Sequence, residues 1–227
     1  MSSSSSHMES GARKVKNRRY DDDDDNMEMG IGWRVLYSLG MPLLYIFGIL
    51  LGIVAIICNG ILTSYWSDLD PPKCWLYAKT PSNSIIYKFG SSVSNCEWVT
   101  FGGVAAVVLL VICGIIYFAA VRGKGVMNIA VYVLMVLSLL STLLMLAATC
   151  TLTEGLRVTC ASMGLNPFNS RGVDCHDQLD LRVKMYNLSI TSSTLIAGAL
   201  YTYWPCTIIM FIITIFHLLS CYRRCYR

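Results

Sequence analysis

The sequence predicts an all-α membrane fold: a bundle of four transmembrane helices bearing a small, disulfide-stapled extracellular β-sheet. Three observations predict it. Four apolar stretches, at about Val35–Leu62, Val99–Val121, Val126–Thr149 and Thr194–Leu219, contain no Asp, Glu, Lys or Arg. At about 1.5 Å per residue each one exceeds the ~30 Å hydrocarbon core of a bilayer. Basic residues crowd the segments that would share one side of the membrane, and cysteines fall in pairs in the two long connections on the other side.

The first 32 residues carry a serine block, a basic block at Arg13–Arg19 and the acidic run Asp21–Asp25. They lack apolar periodicity and are expected to form a disordered cytosolic tail. A basic cluster near a membrane gains about 1 kcal/mol per charge on anionic lipid, and the adjacent aspartates oppose that attraction. The transmembrane domain is expected over residues 33–222. Its first apolar run lies too far along the chain and is too long for a cleaved signal sequence, so it is expected to act as an uncleaved signal anchor. Gly48 and Gly52 form a small-xxx-small step on the first span, which suits close packing inside the bundle. Ser138, Ser141 and Thr142 offer small polar groups on the third. Pro42 and Pro205 are expected to kink their helices. Trp33, Tyr37, Trp66 and Trp98 suit the membrane interface. Tyr201–Trp204 falls deeper, and Asn59 can bond a neighbouring helix or reach interfacial water.

Charge placement orients the bundle. Arg13, Lys14, Lys16, Arg18, Arg19 and Arg34 precede the first span, Arg122 and Lys124 lie in the tight turn between the second and third, and Arg223, Arg224 and Arg227 follow the fourth. By the positive-inside rule these segments, both termini included, face the cytosol. The loops at 63–98 and 150–193 face outward, and residues 223–227 form a cytosolic C-terminus. The net charge of +4 arises from this asymmetry and gives no support to nucleic-acid binding.

Cys74 and Cys96 lie in the first outer loop, Cys160 and Cys175 in the second. Even numbers on the oxidising side predict disulfides. One bridge per loop is the simplest of the three possible pairings, and closing loops of that size gives about 3 kcal/mol each. Cys113 and Cys206 fall inside spans and read as small apolar residues. Cys58 and Cys150 stand near outer helix ends. Cys221 and Cys225, beside Arg223 and Arg224, are candidates for palmitoylation or for unmodified thiols.

The outer loops read as ordered. Trp75 and Tyr77 alternate with Cys74 and Leu76; Ile85, Tyr87 and Phe89 alternate with Ile86 and Lys88. Leu179, Leu181, Val183 and Met185 alternate with Gln178, Asp180, Arg182 and Lys184. This period of two predicts half-buried strands, bounded by turns at Asp70–Pro72 and Thr80–Asn83. Asn187-Leu188-Ser189 is the sole glycosylation sequon of these loops, close to the fourth span.

The chemistry of an enzyme is missing. No Gly-rich phosphate loop, His-Glu-x-x-His or Cys-x-x-Cys occurs, and no cofactor or metal site is expected. The pair His176–Asp177 beside Cys175 reads as structural. Pumps and proton-coupled carriers need ionisable groups within the membrane, and the spans offer only His217.

Taken together, these features resemble the claudin-like tetraspans, most closely the transmembrane protein 179 family and its insect relatives, the Pasiflora proteins. The resemblance covers roughly Trp33–Tyr222. It rests on the short cytosolic turn, Lys73-Cys74-Trp75-Leu76-Tyr77, Cys96-Glu97-Trp98, the pair Cys160 and Cys175, the run Asp177–Leu181 and the Trp204-bearing fourth span. The first loop departs from the claudin pattern of Trp, Gly-Leu-Trp and two closely spaced cysteines, because Trp75 follows Cys74 and Cys96 is distant. Claudin-type strand polymerisation is therefore not implied. What the resemblance implies is a non-enzymatic structural or adhesion component of septate-like junctions in the plasma membrane. It would support epithelial or glial paracellular barriers at lateral cell contacts. Its partners would be the lipid bilayer, other junction membrane proteins in cis or trans, and further copies of itself. The same architecture would serve an accessory or trafficking subunit of a channel or receptor.

Overall fold

A computed structural model describes residues 39–68, 72–78, 90–122, 127–162, 175 and 192–225. Four helices make up the fold: α1 (Met41–Ser67), α2 (Val93–Arg122), α3 (Met127–Ser162) and α4 (Ser192–Cys225). All four are long and apolar enough to cross a membrane, which makes this a multi-pass membrane protein. Contacts divide the chain into Met1–Leu43 and Leu44–Arg227. Of the first unit the described part is Leu39–Leu43, which includes the opening residues of α1.

Each helix continues past one or both ends of its apolar stretch. The extension is greatest in α3, whose 36 residues reach about 54 Å at ~1.5 Å per residue. That is well beyond a ~30 Å hydrocarbon core. Its exposed face changes from Leu143, Leu146 and Ala147 to Cys150, Glu154 and Arg157. The last turns of α3 therefore stand outside the apolar layer. Apolar content marks where lipid ends, whereas the helix continues because its other face still has something to bury: Leu152, Leu156 and Cys160 are 4% exposed or less.

The small-xxx-small step of α1 is spent inside the bundle. A Cβ at Gly48 would stand 3.2 Å from Leu110 Cδ2 of α2 and 3.3 Å from Ile209 Cγ2 of α4; a Cβ at Gly52 would overlap Val107 Cγ2. The Cys206 thiol donates to Gly48 O at 3.3 Å and lies 3.5 Å from where a Cβ at Gly52 would stand. Close backbone approach is what small residues contribute where lipid offers no hydrophobic drive for helix association.

The antiparallel helices α3 and α4 are joined by a ladder of hydroxyls. Thr142 Oγ1 lies 2.9 Å from Thr214 Oγ1 and Thr149 Oγ1 lies 2.8 Å from Thr207 Oγ1. Trp204 Nε1 donates to Thr153 Oγ1 at 3.2 Å. The two threonine pairs are seven residues apart on both helices, the repeat of left-handed helix packing. Each threonine also lies within 3.0 Å of the carbonyl four residues before it. A pair has two protons for three such contacts. One hydroxyl therefore donates to its own helix and the other across the interface. Ser141 ties in α2 by donating to Ala106 O at 2.8 Å.

Two proline expectations resolve differently. Pro42 is the second residue of α1, where no N–H is needed by the helix, whereas Pro205 sits inside α4. There its ring withholds an N–H from Tyr201 O, on a side where Tyr201 is 77% exposed.

Candidate functional site: a stapled outer cap

The described part of the connection between α1 and α2 turns back onto the C-terminal end of α3. Both expected disulfides form, Cys74–Cys96 and Cys160–Cys175, with Cα–Cα distances of 5.7 and 5.6 Å. One bridge per loop is thus the pairing adopted. The first ties the turn to the start of α2, and the second ties Cys175 to the α3 extension.

Between these staples the segment Cys74–Ala78 is not the strand its alternation predicts. Trp75, Leu76 and Ala78 are consecutive or nearly so, yet all are fully buried with Cys74. Tyr77 adopts a left-handed φ of 54°, which breaks the pleat. Its pairing with the returning chain shrinks to one antiparallel bridge, Cys74 N to Ser91 O at 3.0 Å and Ser91 N to Cys74 O at 2.9 Å. Hydroxyls from α3 supply what a second strand would. Thr159 Oγ1 accepts from Ala78 N at 3.0 Å and shares its proton between Trp75 O and Gly155 O, each at 2.9 Å. Ser162 Oγ donates to Ala78 O at 2.8 Å, and Tyr77 N donates to Gly155 O at 3.1 Å. Ser91 Oγ donates to Leu76 O. A buried backbone must satisfy its polar groups, and here a helix side satisfies them.

Gly155 is the notch that lets the turn seat. A Cβ there would stand 3.0 Å from Leu76 Cβ, Leu76 Cδ2 and Tyr77 Cε2 alike. The Tyr77 ring rests beside that notch, half-buried, and burial together with the Glu154 carboxylate pushes its phenol above the ordinary value. Glu154 itself receives a bidentate pair from Arg157, Nε to Oε2 at 2.8 Å and Nη2 to Oε1 at 2.6 Å. Both side chains are largely exposed.

Below the cap, Asn59 is fully buried and donates to Thr100 Oγ1 of α2 at 2.8 Å, so it bonds a neighbouring helix. Thr63 donates to Asn59 O at 2.8 Å. At the opposite end His217 lies within the bundle, its Nε2 2.7 Å from Tyr45 Oη, with the Tyr117 ring 5.7 Å from Tyr45. This joins α1, α2 and α4.

Several sequence expectations shift. Trp66 is 1% exposed and is a core residue, not an interfacial anchor; its carbonyl accepts from Lys73 N at 3.2 Å. Trp98, 48% exposed, does suit the interface. Tyr203 faces inward and donates to Val99 O at 3.2 Å, while Tyr201 and Trp204 face outward. Cys113 and Cys206 are buried as expected, and Cys150 is exposed. Cys221 is 9% exposed, so acylation there would require its thiol to turn out of the bundle. Asn187, His176–Asp177, the side chain of Cys225, Trp33, Tyr37 and the strand segments around 85–89 and 178–185 lie outside the described residues. Among the described residues the β content is the single bridge, and no group of three His, Cys, Asp or Glu is placed to hold a metal ion. The residues that carry the cap on α3, Gly155, Thr159 and Ser162, were not singled out by sequence. Their spacing of four and three is the available signal, because it continues the buried face of α3 past the membrane.

Comparison of the chain with family models, with curated proteins and with solved structures returns no match.

Proposed function

We propose that this protein is a structural or adhesion tetraspan of a cell junction, septate-junction-like, that supports assembly of an epithelial or glial paracellular barrier. The observation that carries the reading is the cap itself. A covalently closed turn, buried and hydrogen-bonded to a helix that rises out of the membrane, is a rigid outward-facing surface. Rigid surfaces bind macromolecular partners with little ordering cost. The interior favours a structural part over a transporter: several of its described polar groups make interhelical bonds, such as Thr149–Thr207 and Asn59–Thr100. The plasma membrane, cytosolic termini and lateral contacts belong to the same proposal, as does the resemblance to the transmembrane protein 179 and Pasiflora branch of claudin-like tetraspans. Cis or trans junction proteins are its partners.

The test is localisation of the tagged protein in a polarised epithelium, with tracer permeability measured after its removal. Lateral enrichment with tracer leakage supports the reading. Uniform or vesicular staining with an intact barrier refutes it and transfers the cap to an accessory or trafficking subunit.

A further inference from the structure

Asn59 Oδ1 and Trp75 Nε1 are buried, and neither has a hydrogen-bond partner among the described residues. Both side chains belong to residues that are fully enclosed. One atom is an acceptor and the other a donor. Buried polar groups in native proteins are nearly always paired, either with protein or with ordered water. Two complementary unpaired atoms at the cap end of one bundle therefore call for a common explanation.

The frame around them limits their separation. Asn59 Nδ2 donates to Thr100 Oγ1 at 2.8 Å, which fixes the amide at the level of Thr100 on α2. Thr100 lies four residues along α2 from Cys96, about 6 Å at ~1.5 Å per residue. The Cys74–Cys96 bridge holds the residue before Trp75 at a Cα–Cα distance of 5.7 Å from Cys96. From α3, Thr159 Oγ1 holds the Trp75 carbonyl at 2.9 Å. Trp75 is thus anchored on two sides about one helical turn from the Asn59 amide. A direct bond would close to about 3 Å and is not made; one small bridging molecule spans about twice that distance.

We propose that a single buried water beneath the cap joins Trp75 Nε1 to Asn59 Oδ1. The chemistry of the pair selects this occupant. It must accept from an indole N–H and donate to an amide oxygen, which water does and a metal ion or an anion does not. It carries no charge, because the apolar stretches that hold Asn59 and Thr100 contain no Asp, Glu, Lys or Arg to balance one, and an unpaired buried charge is costly. It is small, because both atoms are enclosed and the turn above them is covalently closed. Thr63 Oγ1, 3.2 Å from Thr100 Oγ1, spends its proton on Asn59 O and keeps acceptor capacity for the second proton of the water. That gives the three bonds typical of a buried water. The site makes the cap tryptophan part of the polar contact between α1 and α2, whether the protein builds junctions or serves another complex.

The experiment records nitrogen–proton correlation spectra of the full chain in lipid nanodiscs, with magnetisation transferred from water protons. The sequence has five tryptophans, and loss of one indole signal in Trp75→Phe assigns the signal of Trp75. A cross-peak between water and the Trp75 indole proton is expected in the unmodified chain. Asn59→Leu removes the acceptor, and is expected to abolish that cross-peak and to move the indole proton upfield. The Trp204 indole, bonded to Thr153, should keep its position and serves as the control. Two results would overturn the proposal: no water cross-peak at Trp75 in the unmodified chain, or a cross-peak that persists with an unmoved indole proton in Asn59→Leu. The first is read without any variant, so it stands whether or not Asn59→Leu folds.

Discussion

Replacing Thr159 by valine tests the cap at its hub. Valine has the same shape, so no cavity opens, but the hydroxyl that serves Ala78 N and Trp75 O is gone. Both groups lie in a segment where Trp75 and Ala78 are fully buried, so water does not replace the partner. Each buried group left unmade costs about 1–3 kcal/mol, and the pair about 2–5 kcal/mol after allowance for nonadditivity. The Cys74–Cys96 disulfide holds one end, so the turn loosens locally while the bundle stays folded. Every ~1.4 kcal/mol is a factor of ten. Amide hydrogen exchange over residues 76–78 should therefore quicken by about 30- to 3000-fold, while exchange in the middle of α3 stays unchanged. Thr159→Ser keeps the hydroxyl and should retain most of the protection. Equal protection in the valine variant would refute the claim that α3 hydroxyls replace a partner strand. Equal loss in both variants would show that the methyl group and the hydroxyl are both needed to seat the turn.

Three further outcomes are expected. Gly52→Ala drives a methyl into Val107; overpacking of a tight core costs about 1–3 kcal/mol, and the melting temperature in detergent should fall, with Gly60→Ala, whose nearest neighbour is 3.8 Å away, as the mild control. Removing the Cys74–Cys96 bridge by paired serine substitution should cost about 3 kcal/mol and expose Trp75, read as a red shift and greater acrylamide quenching of tryptophan fluorescence. A double-mutant cycle of Thr149→Val and Thr207→Val should give a coupling of about 0.6 kcal/mol and no more than ~1.7 kcal/mol; a coupling near zero would mean that the two hydroxyls merely touch.

The membrane spans were legible because uncharged runs of that length have few other uses. The disulfides were legible because topology sorted the cysteines by compartment before any pairing was considered. The cap was read in the wrong form. The alternation at Cys74–Tyr77 carries real information about which groups are polar along the backbone, but it is silent about who satisfies them. A neighbouring strand and a helix bearing Thr159 and Ser162 answer the same need, and only the second requires the notch at Gly155. Trp66 misled for a related reason. A tryptophan at a span end fits an interfacial anchor or a core plug, and the choice depends on the returning chain at Lys73, which lies beyond the span. The threonine ladder was visible only as isolated hydroxyls, because the register of α3 against α4 is a property of both helices together.

The reach of α3 has a mechanical consequence. A helix is stiff in torsion, and this one runs unbroken from Met127 to the bonds that hold Trp75 and Ala78. The threonine pairs grip it against α4 along the way. Force applied to the cap is thus delivered to α3 as a shaft and resisted by the α4 side of the bundle. By the same route, a twist of α3 at its opposite end would arrive at the cap with little loss of angle.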